Sequence, residues 1–210
     1  MGGWPVRPVA AGPSEQPVRI VDVTTGQVTD VVPQQGDTPI NDALRESGMA
    51  ESIQLVAPRW SSSGAYVAAK ASLDVATGVA YVPVVFTPEG RFVALGRKSE
   101  QGFEPFGWSP MADELAYALG QEYLITEAHL LDPASGVDEV LVSSGGTQRF
   151  NVGDMVWAPS GRWLAFGRWD DRGEGHIEHA LQIVDVAYPS SFEQFAVDTL
   201  ETWFLVDWSR

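Results

Sequence analysis

A short tryptophan phrase recurs along the chain at a nearly constant interval. Its complete copies read Trp-Ser-Ser-Ser-Gly-Ala-Tyr-Val-Ala from Trp60, Trp-Ser-Pro-Met-Ala-Asp-Glu-Leu-Ala from Trp108 and Trp-Ala-Pro-Ser-Gly-Arg-Trp-Leu-Ala from Trp157. A further copy begins at Trp208, two residues before the last residue given. Successive tryptophans are 48, 49 and 51 residues apart. A period in this range is typical of stacked repeats and propellers, so the chain is expected to repeat one structural unit.

Each interval divides into four short apolar segments that are bounded by Gly, Pro, Ser or Asp, which is the pattern of four antiparallel strands. Four strands in about 50 residues form the blade of a β-propeller. We therefore predict an all-β propeller with complete blades at about 54–97, 103–143 and 152–198, and with partial-blade strands at both termini. Residues 1–16 are predicted to be an irregular lead-in, and 17–210 a single, possibly incomplete, propeller domain.

Three aspartates precede predicted turns. Asp22 is placed to accept backbone N–H bonds in a hairpin turn, and Gly26 in the same turn can adopt a positive φ. The same device recurs at Asp132, and less cleanly at Asp185, where Pro189 and two serines replace the turn glycine. These residues are predicted to be structural.

The phrase Trp-Ser-Pro followed by Leu-Ala-Tyr from Trp108, with its counterpart from Trp157, resembles the WD40-like repeats of TolB-type β-propellers. The resemblance covers the chain from about residue 17 onward. The aspartate usual at the fourth position of the phrase is replaced by Ser63, Met111 and Ser160, which is expected to weaken a turn hydrogen bond in each blade. The resemblance implies a non-enzymatic scaffold that binds a protein or peptide. It also implies an extracytoplasmic role in a bacterial envelope, although no export signal is visible.

The repeated tryptophans have two possible roles, an aromatic binding surface or a wedge between neighbouring blades. Repeat proteins need the same packing residue in every unit, and the rings recur in one column of the repeat. We therefore predict that Trp60, Trp108, Trp157 and Trp208 are structural.

The strand count leaves the ring incomplete. Residues 19–32 supply the outer two strands of a further blade, and residues 202–208 supply an inner strand. Either these segments meet in a defective fourth blade, or the chain is a fragment of a longer propeller. The stop in the middle of a phrase favours the fragment, because complete proteins cover an open strand edge.

The charge excludes some partners. The chain has 28 acidic and 13 basic side chains, a net charge of −15. Such a surface repels nucleic-acid phosphates and anionic lipids. No run of 18 apolar residues is present, so no membrane insertion is predicted. The lack of cysteine excludes disulfides and thiol chemistry and leaves the compartment open. No cofactor is expected.

The longest predicted connections, 33–53, 98–104, 144–152 and 169–180, all belong to one face of the propeller, and binding usually resides in such loops. The last is richest in polar groups. Charge-rich loops are usually only solvated, but this one also offers weak metal ligands in His176, Glu178 and His179. His129 is predicted to lie on a strand of another blade. The candidate partner-binding residues are Trp169, Asp170, Asp171, Arg172, His176, Glu178 and His179.

Catalytic signatures are absent from the sequence. It contains no Gly-x-Ser-x-Gly elbow, no phosphate-binding Gly-x-x-x-x-Gly-Lys and no Gly-x-Gly-x-x-Gly. The first hypothesis is therefore a non-enzymatic scaffold that binds a protein or peptide through its loop-rich face. The alternatives are a metal-assisted or carbohydrate-active enzyme that uses residues 169–179, and the gating propeller of a prolyl-oligopeptidase-like protein without its hydrolase domain.

Overall fold

The computed structural model describes residues 18–31, 53–75, 78–99, 106–121, 124–143, 149–171, 177–190 and 192–197. Within these ranges the chain forms strands and turns and no helix. The described residues therefore contain no helix that could cross a membrane. The strands are β1 (Val18–Val21), β2 (Val28–Val31), β3 (Ile53–Trp60), β4 (Val67–Val75), β5 (Gly78–Phe86), β6 (Phe92–Leu95), β7 (Phe106–Trp108), β8 (Leu115–Gln121), β9 (Leu124–Asp132), β10 (Val137–Ser143), β11 (Arg149–Trp157), β12 (Trp163–Asp171), β13 (Ile177–Asp185) and β14 (Phe192–Val197).

The strands form three four-stranded antiparallel sheets and one hairpin. Blade 1 has the order β3-β4-β5-β6, blade 2 the order β7-β8-β9-β10, and blade 3 the order β11-β12-β13-β14. Strands β1 and β2 pair with each other and form the N-terminal hairpin, which joins no other strand in the part of the chain that the structure describes. The predicted all-β fold of four-stranded blades is confirmed. Across the described residues the sheets do not close into a ring.

Several strands are longer than predicted, and the largest difference concerns the connection predicted at 169–180. Strand β12 continues to Asp171 and β13 begins at Ile177, so most of that loop is a β-ladder. Likewise β11 begins at Arg149, inside the predicted loop 144–152. Antiparallel pairing satisfies the backbone N–H and C=O groups of both strands, and this outweighs the low strand propensity of polar residues.

The cores lie between the blades. One face of blade 1 buries Val67, Val82 and Phe86 against the N-terminal hairpin, which contributes Val18 and Ile20. The opposite face packs on blade 2, and blade 2 in turn packs on blade 3. Small residues recur at one position of the second strand of each blade, where they let neighbouring sheets approach closely. These are Ala68, Ala116 and Ala165, which are at most 3% exposed.

Two of the repeated tryptophans connect neighbouring blades through a hydrogen bond. The indole Nε1 of Trp108 donates to the carbonyl of Arg59 at 2.9 Å, and Nε1 of Trp157 donates to the carbonyl of Gly107 at 3.0 Å. Each acceptor immediately precedes the tryptophan of the preceding blade. In both cases the indole of one blade therefore donates to the carbonyl just before the tryptophan of the preceding blade.

The expectation of a wedge in every blade does not hold for Trp60. Its side chain is 52% exposed, and within the described part of the chain its indole makes no hydrogen bond. Of the described strands, only the N-terminal hairpin lies before blade 1, and its two strands supply no acceptor for the Trp60 indole. Trp208 lies outside the described residues.

The turn aspartates bind the backbone that follows them. Asp22 Oδ1 accepts from the N–H groups of Thr24 and Thr25 at 2.8 and 3.2 Å. Asp132 Oδ1 accepts from Ala134 N at 2.9 Å. The third, Asp185, accepts from Ala187 N at 3.2 Å and also binds the guanidinium of Arg162. Gly26 and Gly136 close the first two turns with φ of 71° and 72°, a region that side chains disfavour.

The serines that replace aspartate in the repeated phrase retain a turn bond. Ser63 Oγ accepts from Ala65 N at 3.0 Å, and Ser160 Oγ accepts from Arg162 N at 3.4 Å. Ser63 Oγ also donates to Asp113 Oδ2 of blade 2 at 2.6 Å. The substitution at Ser63 therefore adds a contact between two blades, which the sequence did not predict.

Asp132 should make the free energy of unfolding depend on pH in the acidic range. Its bonds with the Ser135 hydroxyl and the Ala134 N–H lower the pKa of this carboxyl from its ordinary value of 3.8. A carboxyl with a lowered folded-state pKa stabilises the fold fully above its unfolded-state value, and this contribution is lost as the pH falls through the folded value. We expect the difference in unfolding free energy between wild type and Asp132→Asn to be constant near neutrality and to shrink below about pH 3.8. Urea unfolding across pH tests this, and a difference that persists in acid would contradict it.

Candidate functional site

Blade 2 contains a buried polar network, which we call the His129 network. His129 has no exposed surface, and its two ring nitrogens face two carboxylates. Nδ1 lies 2.9 Å from Asp138 Oδ1, and Nε2 lies 3.0 Å from Glu127 Oε2. The hydroxyl of Tyr117 donates to the other oxygen of Asp138 and accepts from Arg97 N at 2.9 Å. The network thus joins three strands of blade 2 to the chain that follows β6 of blade 1.

The strand register brings these side chains together. Tyr117 on β8 lies directly opposite His129 on β9, and their rings stack with centroids 5.3 Å apart. Glu127 is two residues before His129 and so shares its face, because side chains alternate along a strand. Asp138 is two residues from Val140, the residue of β10 opposite His129, and falls on that face by the same rule.

The number of hydrogen-bond donors in the His129 network limits which contacts can be hydrogen bonds. A neutral imidazole donates from one nitrogen only, whereas both nitrogens of His129 face carboxylate oxygens. Both contacts are therefore hydrogen bonds only if a second proton is shared between the ring and the two carboxyl groups. Burial, followed by the bond to Asp138, raises the pKa of Tyr117, so this hydroxyl is a donor at neutral pH. Every polar atom named here has a partner, and the arrangement therefore holds blades 1 and 2 together.

The close approach at this junction is visible at Gly96. A Cβ at this position would lie 2.9 Å from the Tyr117 ring and closer still to Pro83, inside the distance of real contacts. The sequence predicts that His129 lies on a strand of this blade, but it does not predict the network. The spacing Glu127-x-His129 predicts that these two side chains share a face of β9. The third member, Asp138, could be identified only from the register of β10.

The structure describes the predicted partner-binding residues only in part. Trp169 lies opposite His179 and Asp170 lies opposite Glu178 on the ladder between β12 and β13, with Asp171 opposite Ile177. Arg172 and His176 fall outside the described residues. We call the part of this ladder from Trp169 to Asp171 and from Ile177 to His179 the acidic hairpin end.

The register separates two of the weak metal candidates. Glu178 and His179 are adjacent in β13, so they belong to opposite faces of the sheet. Among the described residues, no group of three or more His, Cys, Asp or Glu side chains is arranged to hold a metal ion.

Comparison with known proteins identifies the fold and not a family. No protein-family model and no curated protein matches the chain. Among solved structures, the chain is similar to an acylaminoacyl peptidase in complex with Z-Gly-Gly-Phe-chloromethyl ketone, at 13% identity and a TM-score of 0.51 over 69% of this chain and 25% of that one. The acylaminoacyl peptidase of Pyrococcus horikoshii gives 12% identity and a TM-score of 0.51 over the same shares.

A third similar structure is the β-propeller domain of the trilobed protease from Pyrococcus furiosus, which has an open velcro topology. It is 16% identical with a TM-score of 0.52, over 72% of this chain and 45% of that one. The chain thus matches less than half of each of these structures. At such identities the likeness shows the fold alone, and it supports a β-propeller.

Proposed function

We propose that this chain is a non-enzymatic β-propeller that binds a basic protein or peptide segment at the acidic hairpin end. One observation carries the proposal. Asp170 and Glu178 lie directly opposite each other on neighbouring antiparallel strands, with Asp171 next in sequence. Like charges at directly opposed positions destabilise a β-ladder, and a bound cation relieves that cost. A Lys or Arg side chain of a partner is the simplest such cation.

The position and the overall charge favour the same partner. The hairpin between the second and third strands opens on the face that also carries the connections between blades, where rigid scaffolds present binding residues. A net charge of −15 attracts cationic segments over long distances and repels anionic ones. The structural roles of Asp22, Asp132, Asp185 and the His129 network also favour a scaffold over an enzyme.

Three labelled unstructured peptides of equal length, with positive, zero and negative net charge, test the proposal. Fluorescence anisotropy should show binding of the positive peptide, and this binding should weaken as salt is raised. The variant Asp170→Asn/Glu178→Gln should weaken it about 3- to 10-fold, as expected for two partly screened ion pairs.

The matched control removes two exposed carboxylates elsewhere. Glu89 lies in the turn between β5 and β6 at the opposite end of the strands, and Glu193 lies on the outer strand β14. Glu89→Gln/Glu193→Gln has the same net charge as the test variant and should bind as wild type does. If both variants weakened binding equally, the effect would come from net charge alone, and the acidic hairpin end would not be the binding site. Cleavage of the peptide, detected by mass spectrometry, would contradict a non-enzymatic role.

A second candidate function is the propeller of a peptidase, acting as a filter before a hydrolase domain. It is supported by the similarity to the propeller of the trilobed protease and to two acylaminoacyl peptidases. The reading frame beyond the codon for Arg210 tests it. A Gly-x-Ser-x-Gly elbow in that frame would support the peptidase propeller, and a frame without hydrolase motifs would contradict it.

A further inference from the structure

Two cationic side chains of blade 1, Arg59 and Lys70, lie over one aromatic ring of blade 2, and we call them the cation pair. The guanidinium carbon of Arg59 is 5.1 Å from the centroid of the Phe106 ring, and the ammonium nitrogen of Lys70 is 5.5 Å from it. Both distances are in the range of cation–π contacts. Phe106 and Lys70 are buried, whereas Arg59 is exposed. The ring therefore holds one buried and one accessible positive charge at the junction of the two blades.

The repeat itself does not require a charge at either position. Arg59 directly precedes the repeated tryptophan, and Lys70 follows that tryptophan by ten residues. In all three blades the tryptophan pairs with the residue seven positions later, so the positions of the cation pair have structural equivalents in the other blades. These equivalents are Gly107 and Ala118 in blade 2 and Val156 and Gly167 in blade 3. Repeat units share their packing requirements, and packing of the repeat therefore does not account for the cation pair.

A β-bulge in β3 places Arg59 on the face of Lys70. Arg59 lies opposite Ala68, which packs towards blade 2, and Val56 lies opposite Lys70 on the same face. Val56 and Arg59 are three residues apart, whereas a regular strand returns to one face at every second residue. Ala57 within the bulge has a φ of 52°, in the left-handed region that non-glycine residues seldom adopt. Bulges re-aim side chains, and strained backbone is concentrated at functional sites.

The surroundings of the cation pair indicate the chemistry of a ligand. Among the described residues, no carboxylate lies within ion-pair distance of the Arg59 guanidinium, although the chain has 28 acidic side chains. A guanidinium binds a carboxylate through two parallel hydrogen bonds. The net charge of −15 repels a dianion such as phosphate more strongly than a monoanion. Tyr66 and Trp108 stack with centroids 6.4 Å apart, pack on the same cluster as Phe106 and are each partly exposed. The site therefore suits a carboxylate that is attached to an apolar group.

We propose that the cation pair binds the carboxylate of an apolar ligand at the inner edge of the junction between blades 1 and 2. Arg59 contacts the carboxylate, Lys70 adds positive potential beneath it, and the partly exposed rings of Tyr66 and Trp108 contact the apolar group. Arg59 and Phe106 belong to β3 and β7, the first strands of their blades, which lie beside each other. Arg59 is near the end of β3, whereas the acidic hairpin end lies beside the start of β11, so the two sites are at opposite ends of their strands.

An NMR titration of the full chain with phenylacetate tests the proposal. The indole N–H of Trp108 donates to the carbonyl of residue 59 and its signal should shift, while that of Trp157, at the junction of blades 2 and 3, should not. Phenylacetamide, the neutral analogue, should cause no shift at the same concentration. Arg59→Gln keeps the carbonyl and should weaken phenylacetate binding about 5-fold. The matched control is Arg91→Gln, which removes an exposed guanidinium from the β5–β6 turn and should bind as wild type does.

A peptide distinguishes two sources of the carboxylate. If N-acetyl-Ala-Ala-Phe with a free C-terminal carboxylate binds more tightly than phenylacetate, the ligand is a peptide C-terminus; equal or weaker binding indicates a small acid. A Trp108 signal that neither carboxylate shifts, an equal response to phenylacetamide, equal effects of Arg59→Gln and Arg91→Gln, or tighter binding of inorganic phosphate than of phenylacetate would each overturn the proposal. Because no positively charged peptide is used, failure here leaves the proposed function untouched.

Discussion

Trp157→Ala is expected to lower the free energy of unfolding by about 3 kcal/mol, the lower end of the range for truncating a large aromatic ring in a core, because the ring is only partly buried. The ring packs with Ala116, Leu141 and Leu164 at the junction of blades 2 and 3, and its Nε1 donates to Gly107 O. Truncation leaves a cavity between two sheets and an unpaired carbonyl. Urea unfolding at neutral pH measures the loss.

Two further variants separate packing from the hydrogen bond. Trp157→Phe keeps most of the ring but no donor, and should cost about 1 kcal/mol for the lost bond in addition to a smaller packing loss. Tyr188→Ala removes an exposed ring and should stay within about 0.5 kcal/mol of wild type. If Trp157→Ala were as mild as Tyr188→Ala, the tryptophans would not be wedges between blades.

His129→Leu is expected to cost about 3 kcal/mol or more, because it removes one partner of a buried charged network and leaves the others uncompensated. Asp138 would lose its imidazole partner, and Glu127 would lose the 3.0 Å contact with Nε2. The measurement is a double-mutant cycle with Asp138→Ala, analysed by urea unfolding.

The cycle should show strong coupling. Since both single variants break the same interaction, the double variant should cost clearly less than the sum of the two. Glu89→Gln is the control, because its carboxylate is exposed in the β5–β6 turn and should change stability little. Additive effects of the His129 and Asp138 substitutions would mean that the two side chains do not act as one network.

The blades could be predicted from the sequence because every unit repeats the same local requirements. The tryptophan phrase, the aspartate turns and the four strand-like segments recur together, and the three predicted sheets are present with the predicted strand order. Strand ends were less predictable. The ladder between β12 and β13 extends through Asp170 and Glu178 because backbone pairing holds residues that local propensity would place in a loop.

The candidate sites depended on contacts that no local pattern contains. The His129 network needs Asp138 from a different strand and Arg97 from a different blade. The exposure of Trp60 follows from what lies beside blade 1, while its phrase reads like those of Trp108 and Trp157. Conversely, the loss of the phrase aspartate looked unfavourable until Asp113 of blade 2 was seen to pair with Ser63.

Hydrogen exchange at the indole N–H groups tests the central claim, which is that the repeated tryptophans join equivalent blades around one axis. In two-dimensional nitrogen–proton NMR, Trp→Phe variants assign the signals of Trp108 and Trp157. Both N–H groups should exchange orders of magnitude more slowly than free indole, because each is held by a carbonyl of the neighbouring blade. Exchange of both at the rate of free indole in the folded protein would contradict the propeller arrangement described here.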